Sequence, residues 1–231
     1  MTHHLVPGRG RYAVAVPVET GGVGGRRRQP QQRRSRERFE RVIAATKELV
    51  AELGPEPVTT AVIAERAGVS VAWIYRYFED RQDIFDVIVL DAVHRIWERT
   101  QQAVVAASSR GWRAALLDVL DENAAFYAEE PAFVRLWCSD FRSQAMLAAN
   151  RLHDDDQAQW LYASMTRLGV LEPGTAAESA CRLVVAVADR GLELAFSRDD
   201  RGDRLVIDQL GRALTALLEP YCEAEPAPTR R

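Results

Sequence analysis

The stretch that decides the fold of this 231-residue chain is residues 59–81, TTAVIAERAGVSVAWIYRYFEDR. Its apolar residues have helical spacing in two short runs, which predicts one helix from Thr60 to about Ala67 and a second over residues 71–78. Gly68 supplies the turn between them. Two short helices joined by a glycine-containing turn form a helix-turn-helix, whose second helix fits a major groove about 12 Å wide.

The same stretch resembles the DNA-binding motif of the TetR family of transcription regulators. The matching residues are Thr59, Ile63, Ala64, Ala67, Gly68, Val69, Ser70, Ile74, Tyr75, Tyr77, Phe78, Asp80 and Arg81. Ala72 stands where the family often has glycine, and Arg81 where it usually has lysine. The resemblance implies an all-α fold of about nine helices, with an N-terminal three-helix DNA-binding domain and a helical ligand-binding and dimerisation domain.

The candidate DNA-binding residues divide into phosphate contacts and base contacts, with the resemblance guiding the register. Hydroxyls at predicted helix N-termini, the two phenols and Arg81 are expected at phosphates: Thr59, Thr60, Ser70, Tyr75, Tyr77 and Arg81. Base reading is expected to favour thymine methyls, with Arg76 as the guanine candidate: Ala61, Val71, Ala72, Trp73 and Arg76. The structural alternatives are a pure N-cap for Ser70 and packing within the protein for Trp73 and Tyr77.

Charge is unevenly distributed along the chain. The net charge is −3, yet residues 1–38 contain nine arginines and two glutamates. A basic arm on an acidic body favours contact with a polyanion, and Arg33, Arg34 and Arg36 are predicted to lie along the DNA backbone or in the minor groove. The alternative is a solvated tail without function.

The remaining periodicity predicts helices throughout. We divide the chain into a disordered basic arm (1–34), a helix-turn-helix domain (35–81), a helical ligand-binding and dimerisation domain (82–224) and a disordered tail (225–231). Within the third part, helices are predicted at about 81–100, 112–127, 133–150, 156–168, 175–198 and 203–223.

The last two predicted helices carry wide apolar stripes. A repressor that reads two half-sites needs a twofold axis, and the TetR resemblance implies that these helices pair with their symmetry mates. The predicted homodimer interface is Val184, Ala188, Leu192, Ile207, Leu210, Leu214, Leu217 and Leu218. The alternative is that the stripes are simply core.

The middle helices are rich in aromatic residues and include one polar interruption, Asn123. Small-molecule sites are mostly apolar with a few polar groups. A pocket for a hydrophobic or aromatic ligand is therefore predicted from Trp112, Asn123, Phe126, Tyr127, Trp137, Cys138, Phe141 and Trp160, with core packing as the alternative for each. The family mechanism would couple ligand binding to release of a palindromic operator.

Other function classes have little support. The sequence contains no phosphate-binding loop, nucleophile elbow or metal-ligand spacing, so neither an enzyme nor a cofactor is expected. It contains no run of about 18 apolar residues and no secretory signal, which predicts a cytoplasmic protein without membrane contact. Two alternatives remain open: a helix-turn-helix regulator or architectural protein that takes no small ligand, and an activator, because the motif does not fix the sign of regulation.

Overall fold

The computed structural model describes residues 33–107 and 110–222, and within them the chain is all-α. There are nine α-helices and one 3₁₀ helix, and the only extended pairing in that part is an isolated bridge between Leu171 and Cys222. The helices are α1 (Arg33–Leu53), α2 (Thr60–Ala67), α3 (Val71–Ile74), α4 (Arg81–Ala107), α5 (Trp112–Glu129), α6 (Pro131–Trp137), α7 (Gln144–Arg167), α8 (Thr175–Phe196), α9 (Arg204–Leu218) and the 3₁₀ helix Glu219–Tyr221.

The chain divides into two compact units between His94 and Arg95, inside α4. The predicted boundary at 81/82 differs because the first half of α4 buries Ile84, Phe85 and Ile88, which belong to the N-terminal unit. The C-terminal unit contains the second half of α4 and all later helices.

The predicted limits are confirmed for α2 and differ elsewhere. α1 begins at Arg33, two residues before the predicted onset of order at Ser35. α3 has only four residues, and the chain continues to Phe78 as hydrogen-bonded turns, with Phe78 N donating to the carbonyl of Ile74 at 3.0 Å. The predicted helices 133–150 and 156–168 are wrong, because α6 ends at Trp137 and α7 runs unbroken through the Asp154–Asp156 segment.

The N-terminal unit packs α1 and α2 around a small apolar core. Val42 and Leu49 of α1, Ile63 of α2 and Ile74 of α3 are buried. At the surface, the guanidinium of Arg66 contacts both carboxylate oxygens of Glu52, at 3.0 and 3.2 Å. This unit therefore holds the two short helices on the longer α1.

The C-terminal unit is built on the pairing of α8 with α9. A β-carbon placed on Gly191 would lie 2.5 Å from Cδ1 of Leu210, so the glycine allows the two helices to approach closely. A separate aromatic cluster joins α5, α6 and α8: the ring of Phe133 lies 5.2 Å from that of Tyr127, which lies 5.2 Å from Phe196. Burial raises the pKa of the Tyr127 phenol well above its usual value.

Candidate DNA-binding surface and ligand cavity

Local backbone chemistry sets the geometry of the helix-turn-helix. The hydroxyl of Thr59 accepts a hydrogen bond from the backbone N–H of Val62 at 3.3 Å, and that of Ser70 accepts one from Trp73 at 3.2 Å, so both residues cap helices. Gly68 ends α2 at φ 63° and ψ 42°, a left-handed conformation that favours glycine. The turn is therefore fixed by three residues whose roles follow from their types in the sequence.

One face of α2 and α3 is exposed and carries most of the predicted contacts. Seven of the predicted residues are exposed to solvent: Thr59, Ala61, Ser70, Val71, Ala72, Tyr75 and Arg76. Thr60, Trp73 and Tyr77 are partly buried. Ile74 lies on the opposite side of the four-residue helix α3 and is fully buried. The first turn of α3 therefore presents small and apolar groups outward, as methyl reading requires.

The aromatic side chains around α3 pack against neighbouring side chains. The Trp73 and Tyr77 ring centroids lie 4.6 Å apart, and the Arg76 guanidinium carbon lies 6.0 Å from the Tyr77 ring centroid. The hydroxyl oxygen of Thr60 lies 3.2 Å from the phenol oxygen of Tyr75. Trp73 packs on its own turn rather than pointing freely outward, so a base contact by Trp73 has less support than one by Val71.

The predicted phosphate role of Arg81 does not agree with its contacts. Its Nη1 donates to the backbone carbonyls of Glu56 at 2.9 Å and Val58 at 3.0 Å, and its guanidinium carbon lies 6.0 Å from the Phe85 ring centroid. A guanidinium engaged with two carbonyls fixes the loop between α1 and α2. These contacts favour a role for Arg81 in positioning this loop, and its phosphate contact stays a prediction.

The three arginines predicted to contact the DNA backbone or minor groove lie on α1. Arg33, Arg34 and Arg36 are exposed in the first turn of α1, and Arg33 forms an i,i+4 ion pair with Glu37 at 2.9 Å. The predicted arm at residues 1–32 lies outside the described residues. These three arginines are thus presented by an ordered helix and not by a flexible arm.

A cavity of about 260 Å³ lies inside the C-terminal unit, among α4, α5, α7, α8 and α9. Its walls are mostly apolar, and none of the described lining residues is charged. Its polar lining residues are Thr100, Asn123, Gln157 and Ser164, and the Thr100 hydroxyl donates to Oδ1 of Asn123 at 2.9 Å. Trp112 also lines the cavity, and its buried Nε1–H has no hydrogen-bond partner among the described residues.

Three of the eight predicted pocket residues line this cavity, namely Trp112, Asn123 and Trp160. The other five do not: Phe126, Tyr127 and Trp137 are buried in the C-terminal unit's core, Cys138 contacts the Glu193 carbonyl, and Phe141 lies in the loop before α7. Burial raises the pKa of the Cys138 thiol to about 11, which leaves it unreactive at neutral pH.

The prediction also missed lining residues on α4. Trp97, Thr100 and Val104 face the cavity, and the Trp97 ring packs edge-on against Trp160 with centroids 5.2 Å apart. Their i, i+3, i+7 spacing is the signal in the sequence that places all three on one face of α4.

Most of the residues predicted for the dimer interface are buried within the chain itself. Val184, Leu192, Ile207, Leu210, Leu214 and Leu218 are buried within the chain, and Ala188 and Leu217 are partly buried. Val184, Ala188, Leu214 and Leu218 line the cavity. Side chains buried in their own fold offer little surface to a second copy, so the packing of these six residues favours the alternative that the stripes are core, and the dimer surface stays a prediction.

Family models match both halves of the chain. Residues 42–88 match the model described as bacterial regulatory proteins of the tetR family, and residues 110–222 match a tetracyclin repressor-like C-terminal domain. The chain belongs to the TetR family. This TetR-family transcriptional regulator is a member of a family of DNA-binding regulators, not of enzymes.

Individual relatives of the TetR-family regulator are distant. The HTH-type transcriptional regulator BetI of Yersinia pestis is 26% identical over 121 residues, which are 51% of this chain and 61% of the relative. A TetR-family regulator from Streptomyces coelicolor superposes with a TM-score of 0.62 at 26% identity, over 80% of this chain and 99% of that one. One from Haloarcula marismortui gives 0.62 at 18% identity, over 81% and 100%, which shows the fold alone.

The family assignment establishes a helix-turn-helix regulator of all-α fold, as the sequence predicted. The chain spans about 61% of the length of the curated relatives it matches. Within residues 33–107 and 110–222, no helix is both long and apolar enough to cross a bilayer.

Proposed function

We propose that this TetR-family regulator is a repressor that binds a palindromic operator as a homodimer and is released by a small apolar ligand. The exposed face of α2 and α3, which carries the base-reading candidates Val71 and Ala72, is the observation that carries the DNA-binding part. The cavity in the C-terminal unit carries the ligand part.

Base reading is assigned to the start of α3. Val71 and Ala72 are exposed directly after the Ser70 cap, so their methyl groups are available to thymine methyls in the major groove. Arg76 is exposed and long enough to reach a guanine edge. The hydroxyls of Thr59 and Ser70 and the phenol of Tyr75 flank this patch and are assigned to phosphates.

The dimer surface is reassigned to the outward faces of α8 and α9. On α8, Leu183 is 53% and Leu194 58% exposed, and on α9 Leu205 is 76% exposed. Ser179, Leu183, Ala186, Arg190 and Leu194 lie at helical spacing on one exposed face of α8, and three of these five residues are apolar. Exposed apolar side chains grouped on one face mark association surfaces, and TetR-family regulators form dimers.

We assign to α4 the coupling between ligand binding and release of the operator DNA. This one helix carries Ile84 and Phe85 in the core of the N-terminal unit, and Trp97 and Thr100 in the wall of the cavity. A ligand that binds better to one conformation of α4 shifts the equilibrium between the DNA-binding and the non-binding conformation of the protein. The size of that shift is set by the difference between the two ligand affinities.

The test begins with selection of operator sites from random DNA by the full-length protein, followed by footprinting of the DNA that flanks its own gene. The expected result is a twofold-symmetric site, protected over two half-sites about one helical turn apart or a multiple of it. The variant Val71→Glu places a carboxylate at the groove and should abolish protection, whereas Leu152→Glu, an exposed change on α7, should not.

Failure of the wild-type protein to enrich any site would overturn the proposal. An asymmetric selected site would contradict the dimer. A selected site whose occupancy no apolar compound changes would favour the remaining alternative, a regulator without a small ligand.

A further inference from the structure

We propose that the cavity selects a small, uncharged aromatic ligand that packs against the indole rings of Trp97 and Trp160; this rests on the ligand-binding part of the proposed function. Both tryptophans line the cavity, Trp97 from α4 and Trp160 from α7. Both are only partly buried, whereas Trp112, which also lines the cavity, is 7% exposed and presents little ring surface. The aromatic surface of the wall therefore comes mainly from Trp97 and Trp160.

The indole rings of Trp97 and Trp160 stand nearly at right angles to each other. Their centroids lie 5.2 Å apart with an interplanar angle of 78°, and the His153 ring packs edge-on against Trp97 at 5.7 Å. Aromatic rings attract one another in offset-stacked and edge-to-face arrangements, because the ring face is negative and the edge positive. A ligand ring stacked on one indole is perpendicular to the other, so both favoured arrangements are available to it, whereas a saturated ring has neither.

The wall of the cavity carries no charge to pair with a charged ligand. None of the described lining residues is Asp, Glu, Lys, Arg or His, so a carboxylate would be buried without an opposite charge. An ammonium gains a cation–π attraction from an indole, but this attraction is smaller than the cost of removing the charge from water. The polar lining residues Thr100, Asn123, Gln157 and Ser164 are uncharged and suit a neutral polar substituent.

The volume limits the size of the ligand. The cavity of about 260 Å³ is smaller than the sites of roughly 300–1,000 Å³ that hold drug-sized molecules. At roughly 30 Å³ for each non-hydrogen atom, as in liquid water, it admits on the order of ten such atoms. A single ring with a short substituent therefore fits, and a fused polycyclic molecule does not.

The probes are acetophenone, cyclohexyl methyl ketone, benzoate and phenyltrimethylammonium. The two ketones have the same non-hydrogen skeleton and the same carbonyl group, and differ only in whether the ring is aromatic. The saturated ring has the larger apolar surface, so a cavity that selects for apolar surface alone would bind cyclohexyl methyl ketone at least as tightly. A preference for acetophenone therefore reports ring–ring attraction and not the hydrophobic effect.

The experiment measures calorimetric affinities of the four probes for the full-length protein. Wild type is expected to bind acetophenone about fivefold more tightly than cyclohexyl methyl ketone, and each charged probe about tenfold or more weakly than acetophenone. Trp160→Leu should bring the ratio of the two ketone affinities close to one. Trp137→Leu is the matched control and should keep the wild-type ratio, because Trp137 is buried in the same unit but does not line the cavity.

A spectroscopic measurement on the wild-type protein guards against a poorly folded variant. Acetophenone should shift two indole N–H resonances of ¹⁵N-tryptophan-labelled protein, the ones missing from the spectra of Trp97→Leu and Trp160→Leu. Cyclohexyl methyl ketone, which has no ring current, should shift them much less. The inference is overturned if wild type binds cyclohexyl methyl ketone as tightly as acetophenone, if Trp160→Leu keeps the wild-type ratio, or if either charged probe binds as tightly as acetophenone.

Operator binding by the same preparation separates this inference from the proposed function. If none of the probes binds while the selected operator is still protected, the ligand assignment is wrong and the DNA-binding proposal stands. If the operator is not bound at all, the proposed function fails, whatever the probes do.

Discussion

The hydroxyl oxygen of Thr60 lies 3.2 Å from the phenol oxygen of Tyr75, joining the first turn of α2 to the residue that ends α3. The Tyr75 side chain is 56% exposed, so the same phenol is available to a phosphate. This contact holds the two helices of the DNA-binding surface in register from its solvent side.

Removal of this phenol should weaken DNA binding without changing specificity. Tyr75→Phe is expected to lower affinity for operator and non-operator DNA alike, by about 1 kcal/mol, because phosphate contacts carry no sequence information. Fluorescence anisotropy on both DNAs measures it. Tyr162→Phe, which removes a phenol that accepts from Gly174 N in the C-terminal unit, is the control. A weakening confined to operator DNA would contradict the phosphate role.

Arg81 should matter for stability and not for the salt dependence of DNA binding. Arg81→Ala leaves the carbonyls of Glu56 and Val58 without this donor and is expected to cost about 1–2 kcal/mol in urea denaturation. The exposed Arg76→Ala should change stability by less than about 0.5 kcal/mol and reduce operator affinity. If Arg81→Ala instead lowered the salt slope by about one, a phosphate contact would be indicated.

The N-terminal arginines should supply much of the non-specific affinity. Residues 1–32 contain five arginines and one glutamate, and Arg33, Arg34 and Arg36 follow on α1. The triple alanine variant at these three positions should flatten the dependence of log K on log salt by about 0.9 for each DNA phosphate that the protein no longer neutralises. Deletion of residues 1–32 should flatten it separately.

The control for the arginine series replaces exposed arginines of the C-terminal unit, Arg151, Arg167 and Arg201, by alanine and should leave the slope unchanged. An unchanged slope in both N-terminal variants would remove the role of the arm and of the first turn of α1.

The outward face of α8 should hold the dimer. Glutamate at both Leu183 and Leu194 buries charge in the proposed interface, so the double variant is expected to sediment as a monomer at concentrations where wild type is a dimer. Leu152→Glu on α7, at 56% exposure, is the matched control and should remain dimeric. A dimeric double variant would place the interface elsewhere.

A carboxyl group between α7 and α8 should make stability depend on pH. Burial, and then the charges of Asp189 and Asp155, raise the pKa of Asp154 to about 7, while Asn150 Nδ2 donates to Asp154 at 3.1 Å. The folded protein keeps this proton up to about pH 7, whereas an unfolded aspartate loses it near pH 4. Stability should therefore fall as pH rises from about 4 to 7.

The variant Asp154→Asn removes this ionisation. Urea denaturation should show a smaller fall between pH 5 and pH 8 than in wild type, by about 1–2 kcal/mol once solvent screening of the half-buried group is allowed for. Asp156→Asn, an exposed change on the same helix, is the control and should retain the wild-type slope. An unaltered slope in Asp154→Asn would contradict the raised pKa.

Local signals in the sequence predicted the DNA-binding motif well. Thr59, Gly68 and Ser70 act through contacts within a few residues of themselves, so their residue types are enough to predict the two helix starts and the turn. The break between α6 and α7 was missed because residues 138–143 contain neither glycine nor proline, and only Ser143, which caps α7, marks it.

The dimer and pocket residues were predicted less well because hydrophobic periodicity does not say what covers a face. α8 has a buried stripe that includes Val184 and Leu192, and an exposed stripe that includes Leu183 and Leu194. Leucines lie on both stripes, and only tertiary packing separates the buried ones from the exposed ones. Likewise Trp112 and Trp137 are both buried tryptophans, and the sequence cannot tell which one borders an empty volume.

Val184 and Leu214 line the proposed ligand cavity and are also buried on α8 and α9, which restricts how the proposed cavity can be reshaped for other ligands. A substitution there reshapes the cavity and also disturbs the two helices proposed to hold the second copy. Leu116 and Trp160 lie on α5 and α7, outside that helix pair. Diversification of inducer range, natural or by directed evolution, should therefore accumulate at these positions first.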